Sequence, residues 1–306
     1  MSQDLIGVEI VAPVHNRKAI TLQCLKSISH LDDQGLEIGV VIVDDGSTDG
    51  TGDAIRHQYP GVEIIDGDGN LWFTEGTNVG IRRALENDPK YILLINDDQV
   101  FDASSVRYMV ETAERFPRSV IGPLLLLWDE PHRLFQVSPV WDTLYGGWRH
   151  WEDQTVWTVP DRPWNVDIIV GNCVLVPAAA FAECGLMDSK RYINFGDAEF
   201  TPRLKRQGWD LIIDPRARVF CQPNTPPPSL RDMKPAGLYN ALIRDRGNTH
   251  NLIRRFHATM DGAPTALHGV AAFTAFLFRL SLRQGRRDPT AKEDPISQTF
   301  GDRVIN

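Results

Sequence analysis

The chain is 306 residues long, 42% hydrophobic and 24% charged, with a formal net charge of -8. That length suits one large domain or two closely merged ones, and it can bury a core without staples. The acidic balance argues against a general nucleic-acid coat, and no apolar run reaches the ~18 residues of a membrane-spanning helix.

The opening MSQDLIGVEIVAPVHN lacks the basic-then-apolar order of a secretory signal. Cys24, Cys173, Cys184 and Cys221 form no CxxC pair and fit no zinc spacing. Both features point to a reducing, cytoplasmic setting. Charge is unevenly spread: residues 231–306 carry 12 Lys/Arg against 7 Asp/Glu. A basic tail on an acidic body suits an anionic partner, or simply a solvated helical face.

In chain order, GVEIVAPV (7–14) reads as a buried strand, and residues 19–28 space apolar side chains at helical period. IGVVIVDDG (38–46) and VEIID (62–66) are further strands. Residues 77–85 read as a helix, YILLIND (91–97) as a strand and residues 106–116 as a helix. This alternation predicts an α/β fold with a mostly parallel central sheet flanked by helices. In such sheets ligands collect at the carboxyl ends of strands. Asp44 and Asp45 stand at one such end, Asp97 and Asp98 at another.

From about residue 120 to 176 strand-like pieces alternate with turns, and six of the eight Trp lie between Trp128 and Trp164. VDIIVGNCVLVP (166–177) is the clearest strand there. A helix over 200–207, strands at 209–214 and 217–221, and a Pro-rich linker at 222–229 follow. Two helices, about 235–258 and 264–283, form a C-terminal helical extension, and residues 288–306 read as a loose tail.

Carboxylates at a strand end can hold a divalent cation, which neutralises a departing diphosphate. Asn96-Asp97-Asp98 offers such a set, although the same acids could cap the following helix. VDDGSTDGT (43–51) is more specific. It puts two carboxylates at a strand end before a tight turn, where Asp45 could accept hydrogen bonds from a base or ribose. Asp49 could equally serve only as a cap.

PVHNR (13–17), VVIVDDGSTDGT (40–51), NLWFTEGTNVGI (70–81), LLINDD (93–98) and INFGDAEFTPRLKRQGW (193–209) occur in that order. The set resembles family 2 of the inverting glycosyltransferases, with the GT-A fold, over roughly residues 7–225. The segment GDGNLWFTEGTNVGI is similar to bacterial rhamnosyltransferase-type members that act on cell-surface polysaccharides.

The resemblance implies a donor-binding half at 1–125, an acceptor and catalytic half at 126–230, and C-terminal helices and tail at 231–306. It implies that Ala12, Pro13 and Asn16 line a nucleotide pocket, that Asp45 holds the base, and that Gly76, Asn78 and Gly80 border the nucleotide and diphosphate. Asp98 matches the last acid of the family's DxD motif, the main ligand for Mn2+ or Mg2+. Asn96 stands at the first position, with Asp97 or a water as an alternative contributor, and Asp97 is also counted among the donor-binding residues. The catalytic base falls in Gly196-Asp197-Ala198-Glu199, with Asp197 favoured and Glu199 its rival, because Gly196 replaces the first acid of the family motif. Where members often carry a His after the last strand, this chain has Cys221 and Gln222. A third ligand is then missing, or His250 supplies it.

The implied donor is a nucleotide diphosphate sugar, dTDP-rhamnose or a UDP-sugar. The implied acceptor is a hydroxyl of a cell-surface glycan or lipid-linked molecule, with no nucleic acid involved. Trp72 is the best single aromatic for substrate contact. Trp141, Trp148, Trp151, Trp157 and Trp164 could shape an acceptor site. Residues 264–287 could lie on the inner face of the membrane, with Arg279, Arg283, Arg286 and Arg287 toward anionic lipid. A core-docked helix or a dimer contact would use the same residues. Two other functions keep the motifs. One is a nucleotide-binding module without transfer activity; the other is a nucleotidyltransferase, for which PVHNRK is a faint basic loop.

Overall fold

The computed structural model describes residues 5–136, 140–149, 151, 153–222, 230, 233–245, 247, 248 and 250–281. Residues 223–229 of the Pro-rich stretch, Arg283, Arg286, Arg287 and the 288–306 segment lie outside the described residues.

Alternation along the first strand sets the two layers. In β1 (Ile6–Val14), Val8, Ile10, Ala12 and Val14 enter one apolar cluster and Val11 enters the other. The first cluster also takes Cys24, Leu25 and Ile28 of α1 (Lys18–Ile28). Next come β2 (Leu36–Asp44), α2 (Thr51–Gln58) and β3 (Glu63–Asp66). The helix α3 (Trp72–Leu85) starts five residues before its apolar periodicity does. Its Ile81 and Ala84 face the second cluster. β4 (Tyr91–Ile95) is buried at every position, as a strand covered on both faces must be.

A sharp turn through Asn96–Asp98 leads into the short β5 (Gln99–Phe101). In α4 (Ser105–Arg115), Val106, Met109, Val110 and Ala113 form one apolar stripe at helical spacing against the first cluster. β6 (Ser119–Leu127), β7 (Leu134–Gln136), the hairpin pair β8 (Val140–Asp142) and β9 (Gly147–Arg149), and β10 (Trp164–Asn165) follow.

The apolar run 166–177 is not one strand. Only β11 (Cys173–Pro177) is extended, and Val166–Asn172 runs irregularly with Val166, Ile168 and Ile169 buried. Then come α5 (Ala178–Cys184), α6 (Asp197–Arg206) and β12 (Asp210–Cys221). The two strands expected around 209–221 are one long strand with an irregularity between Asp214 and Arg218.

The long helix expected over 235–258 is broken. α7 (Pro235–Tyr239) runs into a π turn at Asn240–Arg244, and a turn then precedes α8 (Leu252–Gly262). The buried Asn251 fixes that turn, donating to the Ile243 and Asp245 carbonyls and accepting the Arg254 amide. α9 (Ala266–Ser281) packs on α8 and β9.

The main sheet has the order β10-β12-β6-β11-β4-β1-β2-β3, with β5 beside β12 and β7 beside β6. Pairs β3-β2, β2-β1 and β1-β4 are parallel. β11 enters antiparallel to both β4 and β6, and β12 returns parallel to β6. The sheet is continuous across residue 125, which lies within β6, so both halves of the chain share one scaffold.

Candidate active site

Topology brings distant segments to one sheet edge. Because β11 runs antiparallel to β4 with Cys173 opposite Ile95, Gly171-Asn172 arrives beside Asn96–Asp98. The Asn96 amide donates to the Asn172 carbonyl at 3.0 Å, and the Gln99 side-chain amide donates to the same oxygen at 2.6 Å. From β12, the Gln222 amide donates to the Asp98 carbonyl at 3.1 Å. α6 begins at Asp197, whose carboxylate accepts the Gly171 amide at 2.8 Å. A side chain at Gly171 would run into Asp197, so glycine is required for this approach. The result is a cavity of about 590 Å³ lined by Asn96, Asp98, Asn172, Asp197, aromatic rings and the inner face of α8.

Arg17 forks across the paired acids, Nη1 to Asp97 at 2.8 Å and Nη2 to Asp98 at 2.9 Å. Burial works against the Arg17 charge, but the two carboxylates outweigh it and hold its pKa up. Asp97 is buried and also accepts the Thr21 hydroxyl at 2.7 Å. Burial pushes its carboxyl up to about 6 against the pull of Arg17. It anchors α1 and does not line the cavity, unlike Asp98 beside it. Asp98 does face the cavity, with its side chain 23% exposed. Among the described residues the buried Asn96 Oδ1 has no hydrogen-bond partner. An orphaned amide oxygen beside a cavity-facing carboxylate fits a hard divalent cation that takes its other ligands from phosphate oxygens and water. Among the described residues no three His, Cys, Asp or Glu side chains cluster as a metal site.

The donor-motif residues are largely engaged by the chain itself. The Asp45 carboxylate accepts the amides of Gly69 at 2.8 Å, Leu71 at 3.2 Å and Trp72 at 2.9 Å. These fill about three of the four acceptor positions of a carboxylate. Asp45 therefore holds the 67–72 loop, with about one acceptor position left over. Asn16, at φ 52, accepts the Thr48 amide at 2.7 Å and ties the first loop to the second. Asp49 accepts the Lys18 and Thr51 amides, the capping alternative. Ala12 is buried in the core beneath the sheet edge. Gly76 lets α3 approach Pro13, and Gly80 lets it close on Val11. Asn78 is buried and clamps the Met187 backbone through both its carbonyl and its amide, so it braces the loop before α6.

The two rivals for the base separate clearly. Asp197 lines the cavity, and burial pushes its carboxyl up. Glu199 is buried outside the cavity lining and pairs with Arg203 at 2.5 Å. Arg203 in turn donates to the Cys184 and Leu186 carbonyls, so Glu199 belongs to an internal brace. His250 sits in the turn before α8, its amide donating to the Asn248 side chain, and does not line the cavity. Cys221 is in the core, its thiol pushed well up by burial, and is no ligand.

Of the aromatics, Trp141 and Trp148 line the cavity in an edge-to-face pair, with centroids 5.3 Å apart. Trp151 stacks on Trp164 away from it, and Trp157 is 77% exposed. Trp72, half exposed at φ 58, lies at the rim against Gly247. Sequence reasoning missed Gly171, Asn172, Tyr192, Phe195 and Arg254, all of which line the cavity. The one signal was the Gly-Asn break inside an otherwise apolar run.

Residues 9–149 match the model of Glycosyl transferase family 2. The N-acetylglucosaminyl-diphospho-decaprenol L-rhamnosyltransferase of Mycobacterium tuberculosis is 26% identical over 206 residues, 60% of this chain. The match spans 66% of that relative, just under two thirds of its length. Two solved structures share the fold. GalNAc-T7 with UDP, GalNAc and Mn2+ has a TM-score of 0.59 at 13% identity, over 92% of this chain and 57% of that one. The mannosyltransferase PcManGT from Pyrobaculum calidifontis, in complex with GDP-Man and Mn2+, has a TM-score of 0.54 at 14% identity, over 92% and 76%. The fold is thus that of the GT-A glycosyltransferases. Within it, residues 9–149 are similar to glycosyltransferase family 2, as the order of the sequence motifs implies.

Proposed function

We propose that the protein is an inverting glycosyltransferase that moves a sugar from a nucleoside diphosphate to an acceptor hydroxyl. The observation that carries this reading is the meeting of Asp98, Asn96 and Asp197 in one cavity at the carboxyl edge of the sheet. Asp197 is the general base. Its carboxylate is fixed by the Gly171 amide and has a pKa raised by burial, which brings it closer to that of a proton acceptor working near neutrality. It removes the acceptor hydroxyl proton as the oxygen attacks the anomeric carbon. Asn96 and Asp98 would hold Mn2+ or Mg2+, which when bound supplies Lewis-acid stabilisation of the leaving diphosphate. Trp141 and Trp148 line the cavity and supply apolar ring surface for a sugar.

The similarity to a rhamnosyltransferase named for a diphospho-decaprenol acceptor supports an activated rhamnose, dTDP-rhamnose by the motif resemblance, as donor and a lipid-linked diphosphate sugar as acceptor. No helix among the described residues is long and apolar enough to cross a membrane. α9 nonetheless exposes Leu267 at 82%, Val270 at 54% and Phe278 at 65%, spaced along one helical stripe. We assign that stripe to contact with an anionic membrane surface beside the basic C-terminal segment. Replacing the three by Ser should abolish sedimentation with anionic liposomes; unchanged sedimentation would sink the contact.

Calorimetric titration with UDP, TDP and GDP, each with Mn2+ or Mg2+ and again with chelator, tests the donor site. Metal-dependent binding of one nucleotide is expected. A folded sample that binds none of them would overturn the reading.

A further inference from the structure

The α8 wall of the cavity carries two guanidinium groups, Arg254 and Arg255. Arg255 is engaged by the fold, donating to the Gly146 carbonyl at 3.2 Å and lying 4.8 Å over the Phe276 ring. Arg254 is held differently. It stacks 4.4 Å over the Phe195 ring and donates one N–H to the Gly247 carbonyl at 3.2 Å. Among the described residues no carboxylate lies within ion-pair distance of it. Burial pushes its pKa down to about 10, and Asp245 offsets only part of that loss. A guanidinium offers five N–H donors in a rigid fork, so most of this one is unspent.

The surroundings fix where the fork sits. Gly247 also abuts the Trp72 ring, and Asn194, next to Phe195, accepts the Phe73 amide. Arg254 therefore stands where α8, the start of α3 and the loop before Asp197 converge. α8 is held there at its far end, where Asp261 accepts the Tyr192 hydroxyl at 2.6 Å and pairs with Arg191 at 2.7 Å. A cation held in place, partly desolvated and without an acid partner is a site prepared for an anion from outside. The planar fork matches phosphate oxygens in pairs.

We propose that Arg254 is a phosphate-binding residue of the cavity and receives non-bridging oxygens of a diphosphate. Whether that diphosphate belongs to the nucleotide donor or to the acceptor rests on the glycosyltransferase reading; the anion site itself does not.

The test uses the full chain with Arg254→Met, which keeps an apolar stem over Phe195, and Arg254→Lys, which keeps charge without the fork. Nucleoside diphosphates are titrated with Mn2+, and inorganic pyrophosphate is titrated into the protein with and without saturating nucleotide. For a donor contact, Arg254→Met weakens nucleoside diphosphate binding by about tenfold or more, with Arg254→Lys between it and the parent. For an acceptor contact, nucleotide affinity holds and pyrophosphate binding to the nucleotide-saturated protein is lost. In both cases Arg254→Met melts no lower than the parent, because no ion pair with a described residue is broken and the Met stem stays over Phe195. Unchanged binding of both probes overturns the proposal, above all if the melting temperature falls, which marks Arg254 as structural. If the parent binds no nucleoside diphosphate, the donor reading fails. Loss of pyrophosphate binding in Arg254→Met then still supports the anion site, and its retention overturns it.

Discussion

In the parallel β3-β2-β1-β4 half of the sheet, the acids that mark the motifs find their partners inside the chain. Asp45 accepts three loop amides, Asp49 two more, and Asp97 pairs with Arg17 and Thr21. Where β11 and α6 join that half, Asp98 and Asp197 face the cavity, and among the described residues the Asn96 side-chain oxygen has no partner. The motif that looks most specific in the sequence is therefore mainly architecture. Its acids replace solvent for buried loop amides. Chemistry falls to the groups that face the cavity, Asp98 while it pairs with Arg17 and Asp197 while it accepts the Gly171 amide.

The sharpest way to break this contrast is Asp197→Asn. Transfer should fall by about 10² to 10⁴, the usual contribution of a positioned base, while nucleotide affinity stays within about twofold. Normal transfer by this variant would remove Asp197 from the role. The raised pKa adds two further expectations. The base must be ionised, so the rate should fall with decreasing pH through an inflection above the ordinary Asp range. A carboxyl with a raised folded-state pKa contributes stability at acid pH and loses it as pH rises through that value. At neutral pH, Asp197→Asn should then melt no lower than the parent.

Next in size is the pair Asp98 and Asp45. Asp98→Asn should cost roughly 10- to 100-fold in metal-dependent nucleotide affinity, by analogy with metal-site partners, and little stability. Asp45→Ala should do the reverse. It strands amides at Gly69, Leu71 and Trp72 and should lower stability by about 3 kcal/mol, read by urea denaturation. Equal melting of the two variants would erase the proposed division between architecture and ligand site.

The sequence made the scaffold legible where burial and period agree. The strands containing Ile10, Val41 and Leu93 are apolar runs because they are covered on both faces, and the α4 stripe is readable by spacing alone. It misled where apolar residues are buried without being extended. Val166, Ile168 and Ile169 fill the core from an irregular segment, which hid the Gly171-Asn172 turn that completes the site. Asp98 and Asp197 could be proposed from the sequence, and the cavity contains both. Arg254 could not be, because α8 joins the cavity through Asp261, Tyr192 and Asn251, contacts between segments that no local spacing records. Likewise Asn78, Asp45 and Glu199 carry the residue types of a site, and their occupation by Met187, the 67–72 loop and Arg203 is purely tertiary.

The smallest expected effect on the rate is also the most discriminating between the two carboxylates of α6. Glu199 and Asp197 lie two positions apart on one helix, a spacing that points them in different directions. Glu199 turns inward to Arg203, whose guanidinium lies 5.3 Å over Phe200 and also holds the chain at Leu186. Glu199→Gln keeps an acceptor for Arg203 while removing the charge, so a loss of about 1 kcal/mol in stability is expected, with transfer within about twofold of the parent. The pair of assays separates two failures. Lower stability with normal transfer fits a brace. A collapse of transfer in a variant that melts like the parent would move the base from Asp197 to Glu199, and would require α6 to present its other side to the acceptor.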